Sequence, residues 1–383
     1  MKGENKYRVY VPGGGAHEGT RLIVKDDKLS TTFFKPQLNV VLLVLAVVVG
    51  GSIIIAWPLL RKEEVEEARL SQKKRCVFLH GMGYEFDDAV DDDFTAYWGP
   101  VKSWTRHNCG SHEFMKRDTV SRNWTNHHLQ DFVCDLIRGD IGVGEDRIAN
   151  SRSAAPAKDV IIFAHSMGNN ILGGALANGR CELDTTASWY AINAPWRGTK
   201  AANYAVERCA AMAESDSTAA SDEALLWVSL GFCKRSSGEG STQQGGQASA
   251  AIKALVMQST ADSDLKYLYS TAEDAARQHV SGVMCGTSAL GLASVYSMAL
   301  KSLSESVEFD GPNDGVVETS SCEGPWEEFK RGKGREGRHV IFKENPRHMW
   351  YSAAVNHLDG SCRDGNGDWG KDRQPCRWYR HRT

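Results

Sequence analysis

The segment A-H-S-M-G at positions 164–168 contains the serine whose surroundings best suit nucleophilic chemistry. It follows a short apolar run, residues 160–164, which is typical of a strand buried in a parallel sheet, and it leads into a helical pattern at residues 169–176. A sharp turn between a strand and a helix holds a serine hydroxyl clear of the backbone, and small residues such as Ala164 and Gly168 allow the close approach that this turn needs. The same pattern also fits an ordinary strand-to-helix turn that carries no chemistry.

A serine hydroxyl is a poor nucleophile near neutral pH, so Ser166 needs a histidine base and N–H donors that face a developing oxyanion. A second motif, H-G-M-G at positions 80–83, directly follows a predicted buried strand at residues 76–79. Taken alone, it fits an ordinary β-turn.

An acid and a base follow later in the chain. Asp314 lies in G-P-N-D-G-V-V at positions 311–317, a tight turn that can hold a carboxylate at a strand end but also suits a plain hairpin. Two histidines, His348 and His357, follow a predicted last strand at residues 338–342.

In this order, the motifs H-G-M-G, A-H-S-M-G, N-D-G-V-V and N-H-L-D resemble those of the α/β-hydrolase fold and in particular of the bacterial triacylglycerol lipases. The resemblance covers about residues 74–200 and 279–360. It implies an α/β fold with a mostly parallel sheet flanked by helices. Because the family's histidine lies in H-L-D, the resemblance selects His357 as the base and leaves His348 as the reserve base.

The resemblance also implies a catalytic role for each of these residues. Ser166 attacks an ester carbonyl, Asp314 orients the imidazole of His357, and the backbone N–H groups of Met82 and Met167 bind the oxyanion. The implied reaction is hydrolysis of the carboxylic ester of a lipid, with no cofactor and no metal ion.

A long segment, residues 200–278, separates the serine part of the resemblance from the acid and base part. It follows the turn A-P-W-R-G-T at positions 194–199, where lipase-like hydrolases often leave the sheet for a lid. We expect residues 200–278 to form a helical cap that admits acyl chains and excludes water, or alternatively a surface insertion without a gating role.

The amino-terminal part predicts a membrane anchor. Residues 37–60 contain no charged side chain, and about 20 apolar residues suffice to cross the hydrocarbon core of a bilayer. We therefore predict a disordered cytosolic tail at residues 1–37, a transmembrane helix at residues 38–60, a charged stalk at residues 61–74 and a hydrolase domain at residues 75–383.

The orientation of this anchor follows from the cysteines. All 10 cysteines lie after the apolar segment, as does Asn123 in the sole N-glycosylation sequon, N-W-T. These features favour a type II, single-pass membrane protein whose hydrolase domain is lumenal or extracellular, stapled by disulfides and glycosylated.

Charge and motif content argue against other classes of function. A formal net charge of −3 does not favour a nucleic-acid surface, and the chain lacks a Walker-type phosphate loop, H-E-x-x-H and C-x-x-C. An acidic run at residues 85–93 can be imagined as a cation site, although a solvated loop is the simpler interpretation.

Two alternatives to a membrane-anchored esterase remain from the sequence. The chain can be a catalytically silent, membrane-anchored binding or adhesion protein that keeps the scaffold, which a displaced base would indicate. It can also be a cytosolic esterase whose apolar segment is a buried helix, which would require free thiols.

Overall fold

The computed structural model describes residues 73–145, 155–214, 227, 231–234, 247–327 and 340–382. The predicted tail at residues 1–37, the predicted transmembrane helix at residues 38–60 and nearly all of the predicted stalk lie outside these residues. Within the parts of the chain that the structure describes, none of the helices combines the length and the apolar character that a bilayer crossing requires.

A six-stranded sheet forms the centre of the domain. The strands of the described chain are β1 Lys74–Leu79, β2 Cys109–Phe114, β3 Val160–His165, β4 Ser188–Ile192, β5 Cys233–Lys234, β6 Gln247–Ala248, β7 Val280–Gly286 and β8 Trp350–Ala353. The central sheet has the order β2-β1-β3-β4-β7-β8 and all of its pairings are parallel, whereas β5 and β6 form a separate antiparallel ribbon. The carboxyl ends of the six parallel strands therefore meet at one edge of the sheet.

The central strands β3 and β4 are buried on both faces of this sheet, which explains why they are almost continuously apolar. In β1, Val77 and Leu79 belong to the larger hydrophobic core, while Cys76 and Phe78 point to the second core on the opposite face. The same alternation repeats in the neighbouring strands because successive side chains point to opposite faces.

Helices cover the two faces. They are α1 Thr95–Trp98, α2 Val101–Thr105, α3 His127–Arg138, α4 Met167–Ala177, α5 Lys200–Glu214, α6 Ala250–Lys253, α7 Ser263–His279, α8 Ser297–Val307, α9 Thr319–Glu327 and α10 Pro375–Arg380. Apolar residues of α3, α4, α7 and α9 pack in the larger core, and those of α1, α2 and α10 pack in the second core.

Only part of residues 200–278 can form the predicted cap. Its last part is α7, whose Ala272 and Ala276 pack in the sheet core and whose Tyr269 ring lies 5.2 Å from that of Trp124. Strands β4 and β7 are parallel neighbours, so the chain between them must cross back over the sheet, and α7 makes that crossover. The prediction of a cap is therefore wrong for residues 263–278.

The predicted last strand at residues 338–342 is also misplaced. Residues 340–342 are not part of a strand, and the last strand is β8, Trp350–Ala353, which pairs with β7. As a result the two candidate histidines lie on opposite sides of a strand instead of both following it.

Five disulfides join all 10 cysteines, and their pairing was not predictable from the sequence. The pairs are Cys76–Cys109, Cys134–Cys181, Cys209–Cys233, Cys285–Cys322 and Cys362–Cys376. They link β1 to β2, α3 to the chain after α4, α5 to β5, β7 to α9, and the turn after His357 to α10. This pairing leaves none of the free thiols that the cytosolic alternative requires.

Candidate active site

Ser166 occupies a tight turn between β3 and α4. Its backbone has φ 54° and ψ −132°, a conformation that non-glycine residues rarely adopt, and its N–H donates to the carbonyl of Ile192 at 2.8 Å. Gly168 allows the turn to pass close to β1, because a Cβ at this position would lie 2.6 Å from the carbonyl oxygen of Leu79. The strand, turn and helix predicted around Ser166 are therefore present, with the serine at the carboxyl edge of the sheet.

The H-G-M-G loop lies directly against this turn. A Cβ at Gly81 would be 2.5 Å from the Cβ of Ser166 and 3.0 Å from its Oγ. The carbonyl of Gly81 accepts hydrogen bonds from Thr119 Oγ1 at 2.9 Å and from His80 Nδ1 at 2.7 Å. The loop after β1 is thus held in one conformation beside the serine hydroxyl.

His80 contributes to this loop as a neutral residue. Its ring is fully buried, and burial lowers its pKa to about 4. Because Nδ1 donates to Gly81, Nε2 is the acceptor, and it receives the N–H of Arg117 at 3.3 Å.

Asp314 is presented by a turn after β7 and α8. One carboxylate oxygen, Oδ1, accepts the backbone N–H groups of Val316 at 2.9 Å and Val317 at 2.6 Å. The other, Oδ2, lies 2.7 Å from Nδ1 of His357. Since the side chain is 1% exposed and both oxygens accept hydrogen bonds, the carboxylate is fixed in orientation.

The turn after β4 braces the turn that bears Asp314. Thr199 Oγ1 donates to the carbonyl of Val316, and the carboxylate of Glu318 accepts the N–H of Lys200 at 3.0 Å. The A-P-W-R-G-T segment therefore has a structural use beyond ending a strand, which its composition did not reveal.

His357 joins the acid to the serine. Its Nε2 lies 2.8 Å from Ser166 Oγ, its Nδ1 faces Asp314, and its backbone N–H donates to the carbonyl of Asp314 at 2.8 Å. A carboxylate only accepts hydrogen bonds, so Nδ1 carries the proton and Nε2 presents its lone pair to the serine hydroxyl. This arrangement can remove the hydroxyl proton of Ser166 as its oxygen attacks a carbonyl carbon, and Asp314 can stabilise the resulting imidazolium.

His348 lies at the opposite edge of the sheet from Ser166. It is in the turn before β8, and its carbonyl accepts the indole N–H of Trp378 at 3.1 Å. Because the strands are parallel, a residue before β8 is at the amino edge, opposite the carboxyl edge that carries Ser166. His348 therefore cannot act as the reserve base.

The two predicted oxyanion donors border the serine. Met167 is the first residue of α4, and the first N–H groups of a helix have no acceptor within it. Met82 follows Gly81, whose own N–H donates to the Tyr97 hydroxyl at 2.8 Å. The N–H of Met82 is thus the next donor in a loop whose preceding peptide is already held in place.

Three residues that sequence reasoning missed are connected to the base, two directly and Tyr97 through His165. Tyr97 lies on α1, His165 ends β3, and Asn193 follows β4. The carbonyl of His357 accepts His165 Nε2 at 2.8 Å and Asn193 Nδ2 at 3.1 Å. The only available sequence signals were that His165 precedes the serine and that Asn193 ends an apolar strand, and neither distinguishes these side chains from ordinary buried polar residues.

Three aspartates of the acidic run at residues 85–93 form ion pairs with nearby cations. Asp87 pairs with Arg122 at 2.6 Å, and Lys116 and Lys102 pair with two further aspartates of the run. Among the residues that the structure describes, no three His, Cys, Asp or Glu side chains meet in a group that could hold a metal ion.

Asn123 lies between β2 and α3 and is half-buried. Its side-chain oxygen accepts the N–H of Thr125 at 3.1 Å and the hydroxyl of Thr125 at 2.9 Å. The sequon therefore forms a local turn near the domain surface.

The strand order, the serine turn after β3, the aspartate turn after β7 and the histidine after β8 form a known combination. The fold is that of an α/β-hydrolase. Its parallel sheet and flanking helices agree with the fold predicted from the motifs.

Comparison with solved structures finds bacterial lipases and esterases among those similar to this chain. The lipase BlEst2 of Bacillus licheniformis is 12% identical with a TM-score of 0.43, covering 75% of this chain and 86% of its own. The lipase of Staphylococcus hyicus is 13% identical with a TM-score of 0.38, covering 80% and 92%. EstA of Clostridium botulinum is 12% identical with a TM-score of 0.38, covering 81% and 86%.

No family model and no curated protein matches the chain. The assignment of the fold therefore rests on the strand order and on the positions of the three side chains.

Proposed function

We propose that this protein is a serine hydrolase that cleaves a carboxylic ester. The observation that carries the proposal is the pair of hydrogen bonds made by His357, 2.8 Å from Nε2 to Ser166 Oγ and 2.7 Å from Nδ1 to Asp314. A serine acts as a nucleophile when a histidine takes its proton and an aspartate orients that histidine, and these three buried side chains make those contacts. The rare backbone conformation of Ser166 supports the same conclusion.

In the proposed mechanism, Ser166 Oγ attacks the ester carbonyl while His357 takes its proton. The oxyanion of the tetrahedral intermediate is bound by the N–H groups of Met82 and Met167, and the protonated His357 then transfers its proton to the leaving alcohol. A water molecule deprotonated by His357 attacks the acyl-enzyme, and the protonated His357 then returns the proton to Ser166 Oγ as the acid leaves. Asp314 remains a carboxylate throughout and stabilises the imidazolium.

For the substrate we propose a lipid ester. The resemblance of the four motifs to lipases supports it, as does the predicted transmembrane helix at residues 38–60, which would hold the site near a bilayer. The proposed topology is a type II membrane protein with the domain of residues 75–383 in the lumen or outside the cell. Five disulfides support an oxidising compartment, and Asn123 is the proposed glycosylation site.

Topology can be measured separately from activity. In sealed microsomes, we expect the hydrolase domain to resist added protease and the chain to lose mass on treatment with an N-glycosidase. An Asn123→Gln variant should already have the smaller mass. Degradation of the domain in intact microsomes would contradict the proposed orientation without bearing on the hydrolase activity.

The hydrolase proposal is tested by labelling the full-length protein in membranes with a fluorophosphonate probe, which reacts with activated serines. We expect labelling of the wild type, none in Ser166→Ala, and a large loss in His357→Ala. His348→Ala should label like the wild type, because His348 is at the opposite edge of the sheet. An unlabelled but folded wild type would instead favour the silent binding protein.

A further inference from the structure

The Tyr97 hydroxyl connects two loops of the proposed active site. It accepts the N–H of Gly81 at 2.8 Å and lies 2.6 Å from Nδ1 of His165. The His357 carbonyl, 2.8 Å from His165 Nε2, can only accept, so neutral His165 carries its proton on Nε2 and the Tyr97 hydroxyl donates to Nδ1. Burial raises the pKa of Tyr97 to about 12, so the phenol keeps this proton at neutral pH.

His165 links the Tyr97 hydroxyl to the backbone of the base, His357. With Nδ1 accepting from Tyr97, its proton is on Nε2, which donates to the carbonyl of His357 at 2.8 Å. Burial lowers the pKa of His165 well below 6.5, and the nearby positive charge of Arg363 acts in the same direction. His165 is therefore neutral and held in one tautomer.

Tyr97 itself is held by the chain that follows the base. Ser361 Oγ donates to the Tyr97 carbonyl at 2.8 Å, and Arg363 Nε donates to it at 3.3 Å. The guanidinium of Arg363 also lies 5.1 Å from the centre of the Tyr97 ring. The tyrosine is thus fixed at its backbone, its ring and its hydroxyl.

We propose that Tyr97 is a positioning residue whose hydroxyl, acting through His165, sets the distance between the loop that carries the Met82 N–H and the backbone of His357. One side chain would then align the oxyanion donor and the base with each other. This inference rests on the proposed hydrolase function, because it concerns the same site.

The alignment matters for the chemical step more than for binding. A displaced N–H or imidazole weakens interactions made in the transition state, whereas the contacts of the acyl chain are unchanged. Loss of the Tyr97 hydroxyl should therefore lower the rate of reaction at saturation and leave the affinity for substrate or probe nearly the same.

The test uses full-length Tyr97→Phe, labelled with a fluorophosphonate over a range of probe concentrations. We expect the limiting labelling rate of Ser166 to fall about tenfold or more, with the half-saturating concentration unchanged. The matched control is Tyr269→Phe, which removes a hydroxyl that donates to the Ala254 carbonyl at 2.8 Å within the helix layer. It should label at the wild-type rate.

A double-mutant cycle distinguishes a connected chain from two independent effects. If Tyr97 acts through His165, the Tyr97→Phe/His165→Ala double variant should be no slower than His165→Ala, since either change breaks the same chain. His165→Gln, which keeps a side-chain N–H able to reach the His357 carbonyl, should recover part of the rate lost in His165→Ala.

Wild-type labelling in Tyr97→Phe, or effects that simply multiply in the double variant, would overturn this inference while the hydrolase proposal stands. A fall in rate equal to that of Tyr269→Phe would also overturn it, because it would reflect a general loss of stability. Failure of the wild type to label at all would reject the hydrolase proposal and this inference together.

Discussion

At the scale of single residues, the acid of the proposed triad is held by more than its histidine. Oδ1 of Asp314 accepts two backbone N–H groups and Oδ2 faces His357. A carboxylate accepts hydrogen bonds from all of these donors at once. An amide at the same position would place its own N–H group against one of the donors, so that hydrogen bond would be lost. The residue type is therefore specified by its hydrogen bonds as well as by its charge.

Asp314→Asn is expected to reduce kcat by about 10⁴ because the amide would stabilise the wrong tautomer of His357. Ester hydrolysis, measured with a soluble ester and the detergent-solubilised chain, gives the rate. The matched control is Asp310→Asn, an exposed residue that pairs with Lys200 at 2.7 Å and should keep its activity. Equal activity of Asp314→Asn and the wild type would exclude the proposed role of Asp314.

At the scale of elements, the serine turn depends on how closely α4 approaches the end of β1. A Cβ on Gly168 would lie 2.6 Å from the carbonyl oxygen of Leu79 and 2.8 Å from that of His80. Neither atom can move without displacing the strand that leads into the oxyanion loop. The first small residue of the motif can be Ala164, because a side chain there packs within the core.

Gly168→Ala should therefore destabilise the domain by about 1–3 kcal/mol, the usual cost of overpacking, and lower the labelling of Ser166. Unfolding in urea with the disulfides intact measures the first effect, and the fluorophosphonate measures the second. Gly142→Ala is the control, since a Cβ at Gly142 has no atom within 4 Å. If both variants unfold at the same urea concentration, the close contact at Gly168 is not a constraint.

The choice between the two histidines is also made at the scale of elements. Both follow the predicted strand at residues 338–342, so local pattern alone left His348 as a reserve. The strand that pairs with β7 is instead β8, Trp350–Ala353, which separates His348 from His357 and sends them to opposite edges. Strand pairing is a long-range property, and a short apolar run does not specify it.

At the scale of the whole molecule, buried histidines set the response to acid. Burial lowers the pKa of both His80 and His112 to about 4, and that of His165 lies well below 6.5. These groups bind protons more readily when the chain is unfolded, so the stability that they contribute is present above pH 6.5 and is lost as the pH falls towards 4. Asp359 acts in the opposite sense, because burial raises its pKa to about 7 and its contribution is lost as the pH rises through that value.

The net effect expected is a lower free energy of unfolding at pH 5 than at pH 7.5, since histidines of lowered pKa outnumber the two carboxyl groups of raised pKa, Asp359 and Glu318. His80→Asn, which can still donate to the Gly81 carbonyl, should reduce this loss by about 2 kcal/mol. Urea unfolding at the two pH values measures the difference. His107→Asn, at an exposed position, is the control. Its free energy of unfolding should differ between the two pH values by as much as that of the wild type.

The sequence alone determined the class of fold, the order of the chemical groups and the strands that present the serine. These features are local: an apolar run of one strand, a turn of small residues, and short motifs whose order along the chain can be read directly. His357 was selected over His348 by its motif, and the structure brings it within hydrogen-bonding distance of Ser166 and Asp314.

Only the tertiary structure decided the features that depend on distant parts of the chain meeting. The five disulfides, the crossover helix α7 within the expected cap, and the contact of Tyr97 with Gly81 and His165 each join residues far apart in sequence. A tyrosine on a four-residue helix carries no local mark of such a contact. Its role arises because parallel strands bring their carboxyl ends, and the loops that follow them, to one edge of the sheet.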